Sequence, residues 1–201
     1  MCRLDVCADF LSRPCCQELR HLSLARGSKI LGMMMTAIPG IHGTTYPDNG
    51  QLTTIRQTIR ARVPFVNHLR TLDLRGYPLL FPEPSDLIQK LNHFLRSCPH
   101  LSDLGLMDIK HQDVPKLFHG LGYCPEDCEN TSAEQDGEPQ HNPLERPRLY
   151  RLVLEVLCLR SGEHVEKVIV ERIEWDLKVR FRFLEDLQVK GVDSLGLGAG
   201  Q

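Results

Sequence analysis

The sequence predicts an α/β fold of repeated units, in which short strands form a parallel sheet and helices join them. Three observations predict it. The spacing L-x-x-L-x-L, closed once by valine, recurs five times along 201 residues. In each copy the last two positions alternate, as the two-residue period of a strand requires. Cysteine or proline stands just ahead of several copies, and proline disfavours helix in the residue before it, so the chain turns there from helix to strand.

The stretch from Pro84 to Asp108 carries a complete unit. Ser85 is placed as an N-cap behind Pro84, and Leu87, Ile88, Leu91, Phe94 and Leu95 then fall on one helical face. After Cys98 and Pro99 the pattern changes to Leu101, Leu104 and Leu106. The same spacing occurs at Leu19/Leu22/Leu24, Leu69/Leu72/Leu74, Leu149/Leu152/Leu154 and Leu184/Leu187/Val189, with Met1/Leu4/Val6 as a truncated sixth copy. The segments Cys16-Gln-Glu-Leu19, Cys98-Pro-His-Leu101 and Pro147-Arg-Leu149 share the punctuation, and Asn67-His-Leu69 is a looser version. Successive first leucines lie 50, 32, 48 and 35 residues apart. Strand-and-helix modules of this kind build leucine-rich repeats, whose regular period is roughly 20–29 residues. The longer, uneven intervals predict an irregular leucine-rich repeat solenoid, with a short parallel sheet on its concave side and helices on its convex side.

Between the first and second copies, Ile30, Leu31 and Met33 to Met35 read as flexible core filling, followed by turn formers from Pro39-Gly40 to Asp48-Asn49-Gly50. A helix is expected from Leu52 to Arg62, burying Leu52, Ile55 and Ile59 while Arg56, Arg60 and Arg62 face water, and Pro64 ends it. A short helix from Val114 to Leu121 buries Val114, Leu117, Phe118 and Leu121. Residues 124–147 hold seven acidic side chains against the single basic Arg146, with four prolines. Too few apolar groups remain there to offset ordering entropy, which predicts a disordered acidic insertion. Leu149 to Leu159 reads as an apolar strand region. For Val165 to Leu177, a strand through Val165, Val168 and Val170 is the alternative to a helix. Helix is preferred because Glu163, Glu166, Lys167, Glu171 and Arg172 supply a polar face and i,i+4 pairs, with Val165, Val168, Ile169, Ile173, Trp175 and Leu177 as its lining. The domain then spans residues 1–190, and the glycine-rich residues 191–201 form a flexible tail.

Composition bounds the function. A net charge of −2 and a sequence pI near 6.5 create no general field for nucleic acid or an anionic membrane. No apolar run reaches the roughly 18 residues of a membrane helix, and Arg3, Asp5 and Asp9 interrupt any secretory h-region. The expected location is cytoplasmic or nuclear, and the eight cysteines are expected as free thiols.

Chemistry-bearing motifs are weak. Cys124 and Cys128, with His111, His119 and His141 nearby, are the one set resembling a metal site, and their spacing matches no strong zinc pattern. The glycines after Leu195 are followed by no helix that could complete a dinucleotide finger. Neither an enzymatic activity nor a metal or cofactor is expected. What remains is a surface. If the leucines point inward, the alternating residues share the other face: His21, Ser23 and Ala25; Thr71, Asp73 and Arg75; Asp103, Gly105 and Met107; Arg151, Val153 and Glu155; Asp186, Gln188 and Lys190. A varied face of mixed charge suits a protein or peptide partner.

The segments Cys98-Pro-His-Leu-Ser-Asp-Leu-Gly-Leu106 and Asn67-His-Leu-Arg-Thr-Leu-Asp-Leu-Arg-Gly76 resemble the irregular leucine-rich region of F-box proteins, particularly those of fungi, over roughly Leu19 to Val189. The resemblance implies substrate recognition for an F-box-type ubiquitin ligase, without ubiquitin transfer by the chain itself. The asparagine or cysteine common three residues past the last leucine is replaced by Gly27, Tyr77, Ile109, Leu157 and Val192. No Leu-Pro-x-Glu-like helix precedes Leu19, so a Skp-type adaptor is implied as a partner only through an F-box outside this chain. The competing expectation is a truncated structural remnant of a larger leucine-rich repeat protein with no autonomous activity.

Overall fold

The computed structural model describes residues 16–24, 54–55, 57–60, 63–75, 84–122, 147–158 and 163–193. It is a mixed α/β structure. Five strands, β1 (His21–Ser23), β2 (Thr71–Asp73), β3 (Asp103–Lys110), β4 (Arg151–Cys158) and β5 (Asp186–Asp193), form one sheet in sequence order, and every adjacent pair is parallel. The described helices include α1 (Pro84–Arg96), α2 (Val114–Leu117) and α3 (Glu163–Arg180), with 3-10 turns at Pro64–Asn67 and His111–Asp113. Residues 54–55 and 57–60 are also helical.

Each strand coincides with one copy of the leucine spacing, and the copies lie side by side without slippage. Leu22 is level with Leu72, Leu72 with Leu104, Leu104 with Leu152, and Leu152 with Leu187. Two residues on, Leu106 is level with Leu154 and Leu154 with Val189. A slip of one residue would turn every leucine into water, so burial enforces this register. The backbone repeats as well. At each of the four junctions one carbonyl ahead of a strand, that of Arg20, Arg70, Ser102 or Tyr150, accepts the two successive amides that open the next strand, at 2.7–3.1 Å. Tight turns precede the copies at Leu19, Leu101 and Leu184, whose amides donate to the carbonyls of Cys16, Cys98 and Phe181, and Leu69 follows the 3-10 turn with its amide on the Phe65 carbonyl.

The core lies on the leucine side. Leu72, Leu74, Leu106, Leu152 and Leu154 are fully buried and join Leu91, Phe94 and Leu95 of α1, Val114 and Leu117 of α2, and Ile173 and Leu177 of α3 in one cluster. Each such side chain contributes about 1.5–3 kcal/mol on burial. Cys98 and Cys158 are buried thiols, outside any disulfide, in the same cluster, and burial pushes the Cys98 thiol far above its ordinary pKa. Asn92 is the polar staple: its buried amide donates to the carbonyls of Leu117 at 2.7 Å and His119 at 2.8 Å, tying α1 to the end of α2. Nearby, Gly122 has φ +75, and an added Cβ would come within 2.6 Å of the Arg180 carbonyl oxygen, so glycine is required for α3 to close over this loop.

Several expectations are corrected. The first helical residue is Pro84, which places Ser85 inside α1 and not at its N-cap; a proline fits the first turn because no intrahelical partner awaits its missing N–H. Arg60 is half-buried and does not face water freely, because the helix at 57–60 lies close against the core through Ile59. Val168 and Trp175 of α3 are 52% and 66% exposed, since the core-facing stripe runs through Ile169, Val170, Ile173 and Leu177. Strand β5 continues through Gly191, Val192 and Asp193, residues assigned to the tail by their composition, because they pair with Val156, Leu157 and Cys158. Gly191 is the compact position in this strand: the Glu166 carboxylate of α3 occupies the space that a Cβ would need. The methionine cluster at 33–35 and the acidic insertion expected at 124–147 lie outside the described residues, except for Pro147, which is described and buried at the entry to the fourth leucine copy.

Candidate functional site

The face of the sheet opposite the leucines gathers the expected residues into rows. His21, Thr71, Asp103, Arg151 and Asp186 are level with one another, and Ser23, Asp73, Gly105, Val153 and Gln188 form the next row. Glu155 and Lys190 are paired in the third row, with Arg75 just past the end of β2. His21, Ser23, Arg75, Arg151, Gln188 and Lys190 are exposed; Thr71, Asp73, Asp103, Met107, Glu155 and Asp186 are half-buried. Ala25 lies outside the described residues.

Two members are exceptions to an open surface. Gly105 and Val153, neighbours in register, are buried and form a floor between charged side chains. Met107 sits where the β3–β4 register shifts between Leu106 and Ile109, so Met107 and Asp108 together oppose Glu155 alone. Asp108 takes the left-handed conformation there, φ 58, which a short polar residue tolerates better than a branched one. Strict alternation therefore ends at the bulge.

The charges are arranged in pairs. The Arg75 guanidinium grips the Asp73 carboxylate with two bonds, Nε to Oδ1 at 3.0 Å and Nη2 to Oδ2 at 2.8 Å, and the Arg75 amide donates to Oδ1 at 3.0 Å. This clasp lies across Gly105, where an added Cβ would meet Asp73 Oδ1 at 2.8 Å and Arg75 Nε at 3.0 Å. On the next strands Arg151 Nε is 3.0 Å from Asp186 Oδ2, and the Gln188 amide donates to the same carboxyl group at 3.2 Å. His21 Nδ1 and Thr71 Oγ1 share a hydrogen bond of 3.0 Å across β1 and β2. The spacing did not single out Ser102, whose hydroxyl donates to Asp103 Oδ2 at 2.5 Å, because it lies one residue outside the strand alternation.

Electrostatically the pairs form one patch. Arg75 holds Asp73 below the ordinary carboxylate range through its side-chain hydrogen bond; partial burial opposes this, and the Arg75 amide and the fields of Arg75 and Arg151 reinforce it. Asp73 in turn raises Arg75, with Glu155 adding to it. A depressed carboxyl pKa contributes stability that is present above about pH 4 and lost as pH falls through the lower folded value. The Asp73 carboxyl is expected to titrate below about pH 4 by NMR and to move upward in Arg75→Ala. A midpoint unmoved by that substitution would show that the clasp does not persist in solution.

Sequence reasoning missed an aromatic cluster at the entry to β4 and β5. Tyr150 and Phe183 stand 6.3 Å apart, 41% and 53% exposed, with the Arg148 guanidinium carbon 5.4 Å from the Phe183 ring centre. Neither aromatic occupies a leucine-template position, so the repeat gave no signal for them. A pocket between α2 and α3, lined by Val114, Pro115, Phe118, Ile173, Leu177 and Arg180, has a volume of about 40 Å³, well below the several hundred Å³ of small-molecule sites. Cys124, Cys128 and His141 lie outside the described residues, and among the described residues no three metal-ligating side chains come together. No described helix is long and apolar enough to cross a membrane.

Comparison with protein-family models, with curated proteins and with solved structures found no match for this chain.

Proposed function

We propose that the chain is a non-enzymatic protein-interaction module of the cytoplasm or nucleus, built as an irregular leucine-rich repeat solenoid whose polar sheet face is concave and binds a protein partner. The observation that carries this reading is the common register of the five leucine-bearing strands, which aligns the intervening polar residues in continuous rows. All-parallel sheets are ordinarily covered by helices on both faces. Here the described helices contribute to the single core on the leucine side, while the other face carries ion pairs over a small Gly105–Val153 floor. Four acids (Asp73, Asp103, Glu155, Asp186) and three bases (Arg75, Arg151, Lys190) favour a partner of mixed charge over a polyanion.

The test reverses the central charges, with Asp73→Arg, Arg75→Asp and Asp103→Arg combined. Swapping the first two keeps a pair over Gly105 while inverting what a partner meets. Capture of specific partners by the full chain is expected to fall at least about tenfold with little change in melting. An unchanged set of captured proteins would remove the polar face from consideration. The narrower reading, substrate recognition for an F-box-type ubiquitin ligase, rests on the sequence resemblance and requires an F-box. Copurification of a Skp-type adaptor with the native protein tests that part separately.

A further inference from the structure

We propose that the outward face of α3 pairs with the same face of a second copy of this chain, antiparallel and about a two-fold axis beside Trp175. This face is distinct from the polar sheet surface, so the inference stands or falls separately from the proposed function. Helix α3 is apolar on two sides. Ile169, Val170, Ile173 and Leu177 face the core, while Val168, Trp175 and Val179 are 52%, 66% and 43% exposed. Scattered single exposed apolar residues are ordinary on soluble proteins. These three fall within about 40° of one another around the helix, at 100° per residue, and include the chain's one tryptophan, a residue type enriched at the centre of interfaces.

Charge complementarity selects the second copy and its direction. From Glu163 to Asp176, α3 carries five acids (Glu163, Glu166, Glu171, Glu174, Asp176) against Lys167 and Arg172, and its last turn is basic with Lys178 and Arg180. A parallel neighbour would lay the two net-acidic stretches side by side and the two basic last turns side by side. In an antiparallel two-fold pair, residues on the same flank of the two stripes meet. Glu171 and Lys178 share one flank, four residues before and three residues after Trp175, so each Glu171 arrives within about 1.5 Å of axial height of the second copy's Lys178. The contact forms twice. Among the described residues Glu171 has a long 3.9 Å approach from Lys167 to give up, and Lys178 is exposed. The other flank brings Arg172, through its methylene stem, beside the second copy's Val179. One helix per copy makes a small interface, so association in the range of roughly 1–100 μM is expected. The resulting dimer leaves both polar sheet faces free and therefore presents two of them.

Sedimentation of the full chain over a concentration series tests the proposal. A monomer–dimer equilibrium is expected, with Trp175→Glu monomeric at every concentration and unchanged in circular dichroism and melting, because the side chain is mostly outside the core. Glu171→Lys and Lys178→Glu each weaken association by roughly tenfold, and the double variant Glu171→Lys/Lys178→Glu recovers it, since the reversed charges again meet across the axis. A chain that stays monomeric to about 1 mM overturns the proposal. So does a dimer indifferent to Trp175→Glu, which would assign association to another surface. A double variant weaker than both single ones overturns the antiparallel pairing and leaves α3 to an unlike partner.

Discussion

Leu152→Asp is expected to abolish cooperative unfolding, while Arg151→Asp beside it leaves the fold intact. Leu152 is fully buried and level with Leu104 on one side and Leu187 on the other, in a ladder that continues to Leu72 and Leu22. An unpaired carboxylate at that position costs several kcal/mol after relaxation, a large part of the roughly 5–15 kcal/mol that holds a domain together. Even Leu152→Ala should cost about 2–5 kcal/mol through lost contacts and a cavity. Arg151, one residue earlier, points to the polar face and is paired with Asp186. Its reversal removes an exposed pair and puts a new carboxylate between those of Asp103 and Asp186, with an expected loss of about 1–2 kcal/mol. Urea denaturation followed by circular dichroism separates the cases. Equal midpoints for Leu152→Asp and Arg151→Asp would mean that the two residues do not face opposite sides.

Phe94→Ala is expected to destabilise the protein by about 3–5 kcal/mol. Phe94 is fully buried on the same face of α1 as Ile88, Leu91 and Leu95, and this helix connects β2 to β3. Cys98 belongs to the same buried cluster, with its thiol 3.3 Å from the Phe94 carbonyl oxygen and held protonated by burial. Thiol labelling therefore provides a second readout: Cys98 should resist modification in the native protein and react more readily in Phe94→Ala as the local structure opens. A half-exposed neighbour on the helix, Gln89→Ala, should change stability by no more than about 0.5 kcal/mol. Comparable losses at positions 89 and 94 would contradict the assigned helix face.

The parts of the fold that could be read in advance share one property: they are set by short-range spacing. Leu22, Leu72, Leu104, Leu152 and Leu187 alternate with polar residues, so local chain geometry assigns them to one side of a strand before any partner strand is known. The same alternation brought together the polar rows of the candidate surface. Arg75 and Gly105 illustrate what spacing could not supply. The clasp of Arg75 on Asp73 depends on the missing side chain of a residue 30 positions away on another strand.

Helix α3 shows the other limit. Its valines, isoleucines, leucine and tryptophan lie on both sides, so periodicity alone cannot say which stripe meets the core. The amino-acid sequence by itself determined the strand positions, their inward leucines and the composition of the polar rows, because burial of regularly spaced side chains permits a single register. Tertiary structure alone decided that Ile173 and Leu177 turn inward while Trp175 turns out, that β5 extends past Lys190, and that the β3 bulge interrupts the rows at Met107. Those outcomes depend on which surfaces remain available once β4, β5 and the loop at Gly122 have packed, and distant chain segments must already be in contact before that is defined.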